Sequence, residues 1–113
     1  IRIFLLAGAM AGSVSGASAD TLKGVGFGDS LMAGYQLAPG EGLPEQLEDV
    51  LQAQGHDIVI ANAGVSGDTT SGGLARLDWS VPDDTDFVIL ELGANDALRG
   101  LPPENQRKSS SRA

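Results

Sequence analysis

The 113 residues contain no cysteine, a single histidine and few aromatic side chains (4%), and they set seven Lys and Arg against fifteen Asp and Glu for a formal net charge of −8. Without cysteine there is no disulfide framework, which leaves export open because an exported domain need not carry disulfides. The shortage of positive charge makes a phosphate backbone, and so nucleic acid, a poor partner. The acidity is most simply a solubility feature. Beyond residue 19 there is no long apolar run, which argues against an integral membrane segment in the rest of the chain. No internal repeat is present. Two nucleotide motifs are absent as well: in Gly24-Val25-Gly26-Phe27-Gly28 the third glycine of the dinucleotide fingerprint is replaced by Asp29, and no phosphate-loop lysine follows.

What the first nineteen residues do have is Arg2, an apolar stretch from Ile3 to Val14, and Ala17-Ser18-Ala19, the A-x-A pattern that a signal peptidase accepts. Residues 1–19 are therefore expected to be a signal peptide, with Asp20 as the new N-terminus and a periplasmic or secreted destination. A buried helix is the alternative. Gly8, Gly12 and Gly16 weaken it, and the stretch is too short to span a bilayer comfortably.

From Asp20 onward strands and helices alternate. Leu22 to Phe27 is a short strand candidate interrupted by Gly24 and Gly26, running into the turn Gly28-Asp29-Ser30. Leu43 to Gln54 places Leu43, Leu47, Val50 and Leu51 at helical spacing, with Pro44 in the first turn and Gly55 just past the end. Ile58-Val59-Ile60-Ala61, within Asp57 to Ala61, has the composition of a strand buried on both faces, as does Phe87 to Leu92. Between them a loop, Asn62 to Asp68, leads to a short helix from Thr69 to Leu77 that Ser66 or Asp68 is available to cap. Three strands joined by helical crossovers predict a parallel α/β sheet. Asp83, Asp84 and Asp86 read as a solvated loop rather than a metal site.

Residues 105–113 change character, with Arg107, Lys108, Arg112, three consecutive serines and no large apolar residue. They are expected to be a polar tail unable to form a core-facing helix. A natural tail or a reading-frame error would both produce such a segment; the second is favoured because the domain is unfinished at that point.

Three polar clusters follow the three strands: Gly28-Asp29-Ser30-Leu31, Gly67-Asp68-Thr69 and Gly93-Ala94-Asn95-Asp96. In an open parallel sheet the carboxyl ends of the strands share one edge, where ligands bind. Acyl transfer needs a nucleophilic hydroxyl on a sharp turn and donors aimed at the developing oxyanion. Ser30 offers the hydroxyl. Gly67 can offer a backbone N–H and Asn95 a side-chain NH₂, each worth about 3 kcal/mol of barrier in such sites. Singly, each residue is ordinary turn chemistry; in this order, each at a strand end, they form a specific pattern.

That pattern resembles the GDSL, or SGNH, hydrolase family, and within it the exported bacterial arylesterases, acyl-CoA thioesterases and lysophospholipases. The likeness rests on Gly-Phe-Gly-Asp-Ser-Leu-Met-Ala-Gly-Tyr at 26–35, Asn-Ala-Gly-Val-Ser-Gly-Asp-Thr at 62–69 and Glu-Leu-Gly-Ala-Asn-Asp at 91–96. It implies Ser30 as nucleophile, the Ser30 N–H, the Gly67 N–H and the Asn95 side chain as oxyanion hole, and Asp29 in support. The fold it implies is a three-layer, flavodoxin-like α/β sandwich with strand order 2-1-3, of which residues 20–104 supply the N-terminal part, truncated after the third strand. The activity it implies is hydrolysis of small carboxylic esters or acyl thioesters without metal or cofactor. The family's Asp-x-x-His, the source of general base and orienting acid, has no match here. His56 precedes the second strand, about five residue rises or 16 Å from Ser30, and reads as a solvated residue near a helix C-terminus. The chain by itself is thus expected to be nearly inactive. The reading from another class is a non-catalytic truncated product that binds acyl or carbohydrate ligands weakly.

Overall fold

A glycine at every second position from Gly24 to Gly28 leaves one face of the first strand without side chains, while Val25 and Phe27 occupy the other. The structure, a computed structural model, describes residues 20–113; the expected signal peptide of residues 1–19 lies outside them. Strand β1 (Leu22–Gly28) is the middle of a three-stranded parallel sheet, with β2 (Ile58–Gly64) on one side and β3 (Phe87–Glu91) on the other. The order β2-β1-β3 is the 2-1-3 order expected.

Helices α1 (Ser30–Ala33) and α2 (Leu43–Ala53) lie on the bare face. A Cβ at Gly26 would strike Pro44 and Met32, and one at Gly64 would strike the backbone of Ala33, so missing side chains are what let these helices approach the sheet. Helix α3 (Thr70–Ser80) lies on the opposite face, where Gly73 comes close to Phe27 and Leu92. Val25, Phe27, Met32, Ile58 and Ile60 form the core. Burying each stabilises the fold by about 1.5–3 kcal/mol. Both predicted ends of α2 are present: Pro44 stands in its first turn, and Gly55 follows its end at φ +92°.

The structure differs from expectation in four places. The apolar strands are not covered on both faces: Ile58 and Ile60 are buried, but Val59 and Val88 are each 44% exposed and Leu90 57%. All three lie on the α3 face, which α3 and a neighbouring helix only partly cover among the described residues. Second, β2 continues through Asn62 to Gly64, because these residues extend the ladder with Gly26, Phe27 and Gly28. Third, α3 is capped by Thr69, whose hydroxyl accepts the Gly72 N–H at 3.1 Å; neither Ser66 nor Asp68 does so. Fourth, residues 105–113, expected to be a polar tail unable to form a core-facing helix, are almost wholly helical. After the short α4 (Ala94–Leu98), helix α5 (Pro103–Arg112) packs on α3 and buries Ser109. Pro103 presets its first turn, Glu104 and Arg112 oppose the helix dipole at either end, and small serines rather than large apolar residues make the contact.

The acidic loop is exposed, as expected, and is tied to the start of β1. Asp86 accepts the Lys23 N–H at 2.7 Å, and Asp84 pairs with the Lys23 ammonium at 2.6 Å. That contact lowers the Asp84 carboxyl below its usual range and raises the Lys23 amine.

Candidate functional site

The carboxyl ends of the three strands bring the three polar clusters to one edge of the sheet. β1 runs into Asp29, which is 1% exposed and uses Oδ1 to accept the Leu31 N–H at 3.0 Å, capping α1. Ser30 is therefore the first residue of a helix and is half-buried. The turn is fixed from behind: the Asp29 carbonyl accepts the Ala33 N–H at 2.9 Å, and the Ser30 carbonyl accepts those of Gly34 and Tyr35 at 3.1 and 3.0 Å. Among the described residues the N–H of Ser30 donates to no backbone carbonyl.

After β2 the chain turns at Gly67, whose φ of +84° is strained for any residue with a Cβ. Val65 N–H donates to the Gly28 carbonyl at 3.0 Å and Asp68 N–H to the Val65 carbonyl at 3.1 Å, binding this loop to the end of β1. The Gly67 N–H, like that of Ser30, finds no backbone acceptor among the described residues.

The segment after β3 grips that loop through three side chains. Asn95 Nδ2 donates to the Asp68 carbonyl at 2.9 Å and lies 3.4 Å from Asp29 Oδ2. Asp96, 2% exposed, accepts the Thr70 N–H at 2.8 Å and the Thr70 hydroxyl at 2.7 Å. Arg99 Nη2 donates to the Gly67 carbonyl at 2.8 Å. One hydroxyl, two uncommitted backbone N–H groups and an anchored carboxamide thus share one edge, a set suited to nucleophilic attack with stabilisation of a developing oxyanion.

Behind the turn, Glu91 Oε1 faces the Asp29 N–H at 3.4 Å. Burial raises the Glu91 carboxyl above its ordinary range, and the neighbouring Asp29 adds to that. No group of three His, Cys, Asp or Glu suited to a metal ion occurs among the described residues.

Ser30, Gly67, Asn95 and Asp29 are therefore brought together. His56 is not among them: it is exposed, follows Gly55 and precedes β2. The register of β1 with β2 puts six residue rises, about 20 Å, between that end of the sheet and the Ser30 edge, farther than the five rises expected because β2 is longer. Four residues of this neighbourhood carry no role in the sequence reading: Glu91, Asp96, Arg76 and Arg99. The first two stand inside the motif at 91–96. Arg76 and Arg99 are two of only three basic residues between Asp20 and Glu104, and that scarcity is the signal that marks them.

The model of the GDSL-like lipase/acylhydrolase family matches residues 27–111, continuing past Glu104, where a non-family tail was expected, through most of α5. An arylesterase of Vibrio mimicus is 47% identical over 92 residues, 80% of this chain and 46% of that protein. Esterase TesA of Pseudomonas aeruginosa is 40% identical over 106 residues, 91% of this chain and 52% of that protein. Thioesterase 1/protease 1/lysophospholipase L1 of Escherichia coli is 39% identical over 94 residues, 82% of this chain and 43% of that protein. Among solved structures, the SGNH-hydrolase esterase AlinE4 superposes with a TM-score of 0.77 at 45% identity, over 85% of this chain and 52% of its own. The chain spans about half the length of the curated relatives it matches.

Proposed function

The chain belongs to the GDSL-like lipase/acylhydrolase family, and from that premise we propose that Ser30 is the nucleophile of a hydrolase of carboxylic esters or acyl thioesters. The observation that carries this reading is the Asn95 carboxamide, which touches the Asp68 carbonyl of the Gly67 loop at 2.9 Å and reaches toward Asp29, the neighbour of Ser30, at 3.4 Å. The names of the relatives, arylesterase, esterase and thioesterase, support the substrate class.

In this reading Ser30 Oγ attacks the acyl carbonyl carbon. The N–H groups of Ser30 and Gly67 and the Asn95 N–H that faces Asp29 only weakly, at 3.4 Å, receive the negative charge on the carbonyl oxygen. The alcohol or thiol departs, and water releases the acid from the acyl-serine. Asp29 holds the turn and faces Asn95. The proton acceptor is assigned to the histidine of the family's Asp-x-x-His, since His56 stands at the far end of the sheet. Without that base Ser30 keeps its proton at neutral pH, and the 113 residues alone are nearly inactive: oxyanion stabilisation and binding by themselves leave roughly 10³–10⁴ over water. Export, with cleavage between Ala19 and Asp20, belongs to the same proposal and is checked by the mass of exported protein.

The test is labelling with a fluorophosphonate, which marks an activated serine, with and without a family segment bearing Asp-x-x-His supplied in trans. Fast labelling of Ser30 only with the segment, lost in Ser30→Ala, is the expected result. Labelling of another residue, or none with the segment bound, overturns the reading.

A further inference from the structure

Arg76 is a charged residue that is only 8% exposed, a costly placement unless its nitrogens find acceptors. Each of the three does, on three different elements. Nε donates to Asp68 Oδ2 at 2.7 Å, Nη2 to the Gly28 carbonyl at 3.0 Å, and Nη1 to Ser80 Oγ at 3.2 Å. The guanidinium lies over the Phe27 ring, 4.1 Å from its centroid. A role in stability alone would be met by any of these contacts. What distinguishes Arg76 is the pair of atoms it joins.

The Gly28 carbonyl is the last of β1, directly before Asp29 and Ser30, and it also accepts the Val65 N–H at 3.0 Å. Asp68 follows Gly67, and its own carbonyl holds the Asn95 carboxamide at 2.9 Å. One planar fork therefore connects the nucleophile turn to the loop carrying one oxyanion donor, and through Asp68 to the residue carrying another. Lysine, a point charge on a flexible stem, cannot span both ends with fixed geometry. On the reading of Ser30, Gly67 and Asn95 given above, we propose that Arg76 is a positioning residue that sets the spacing of the oxyanion donors from Ser30, acting through Asp68 and the Gly28 carbonyl.

The test is hydrogen exchange followed by NMR on the 113-residue chain and its Arg76→Met, Arg76→Lys and Asp68→Asn variants, with unfolding by urea alongside. Met keeps most of the volume but leaves the nearly buried Asp68 carboxylate without its partner, so the urea midpoint of each variant gives the stability lost against which its exchange is compared. In all three variants the Val65 and Asp68 amides and the Asn95 carboxamide should exchange roughly tenfold faster or more by local opening, while Ile60 and Ile89 in the strands keep their protection. If exchange rises uniformly in step with a lowered unfolding midpoint, Arg76 only stabilises the fold and the proposal fails. It fails also if Arg76→Lys restores wild-type protection, since charge alone then suffices. Should Arg76→Met not fold, Asp68→Asn and Arg76→Lys decide the matter by the same criteria. These signals report geometry and not turnover, so they are independent of whether Ser30 labels with fluorophosphonate.

Discussion

The side chain of Asn95 is hydrogen-bonded at 2.9 Å to the backbone carbonyl of Asp68, 27 residues earlier in the chain and on a different strand connection. An amide has two N–H groups. One is spent on Asp68, and the other lies 3.4 Å from Asp29 Oδ2, at the weak limit of a hydrogen bond. A carboxamide held in this way has one N–H fixed and the other only weakly engaged.

Asn95→Ala should lower kcat by roughly 10²–10³ while leaving KM nearly unchanged, because an oxyanion donor acts on the transition state and not on the bound ester. The measurement is steady-state hydrolysis of a short aryl ester with the Asp-x-x-His segment supplied in trans. A change confined to KM would mean that Asn95 binds substrate and does not stabilise the oxyanion.

His56→Ala should leave that same activity unchanged. The residue is separated from Ser30 by the length of the sheet, and no strand or helix motion short of unfolding closes about 20 Å. A proportional loss of rate in the chain alone, assayed without the added segment, would show His56 to be the base.

Much of this was legible in the sequence, and the reason is locality. Pro44 and Gly55 mark α2 by backbone preferences that need no partner, and three polar clusters after three apolar runs place the site by topology alone. The unforeseen parts are those set by distant groups. Nothing near Asp96 in sequence announces that it accepts two hydrogen bonds from Thr70, 26 residues away. The strands Ile58–Ala61 and Phe87–Leu92 are composed for burial on both faces, yet Val59 and Leu90 are exposed, since burial depends on what covers them. Helix α5 has no apolar face to announce it; its ends and its small contact residues, not its periodicity, specify it.

Asp96→Ala should destabilise the fold by about 1–3 kcal/mol, because it strands the Thr70 N–H and hydroxyl in the interior. Urea unfolding of the variant gives the value. Thr70→Val in the same background should then cost less than in the wild type, since the hydroxyl has already lost its acceptor. Additive losses would show that the two side chains do not act as a pair.

Glu91 titrates above the ordinary carboxylate value, chiefly through burial. For an acid so shifted, the favourable contribution to stability is complete below the unfolded value, near 4.5, and is lost as pH rises through the higher folded value. Stability should therefore fall across that window in the wild type and stay flatter in Glu91→Gln, which retains an acceptor for the Asp29 N–H. Unfolding midpoints measured from pH 4 to 8 check the sign: a wild type that gains from Glu91 ionisation as pH rises would contradict it.

The chain by itself should self-associate, and the cause lies in β3. Among the described residues this strand is paired with β1 on one side only, so its other edge presents alternate N–H and C=O groups to solvent. Beside that edge, on the α3 face, Val88 and Leu90 are 44% and 57% exposed, and Val59 on β2 adds a third apolar side chain to the same face. An apolar strand with an open edge is the arrangement that templates pairing with a second copy, and a domain of this size has little stability in reserve against it. Net charge works in the other direction, since copies of Asp20 to Ala113, with six Lys and Arg against fifteen Asp and Glu, repel one another, so association should strengthen as salt screens that repulsion. Leu90→Lys places a charge on the exposed position, a device by which natural edge strands avoid pairing. Light scattering on Asp20 to Ala113 should show oligomers that grow with protein and salt concentration, and Leu90→Lys should shift the population toward monomer. A wild type that stays monomeric at high salt and unfolds in one sharp transition, unaffected by the family segment in trans, would mean that the exposed face is tolerated and that β3 needs no neighbour.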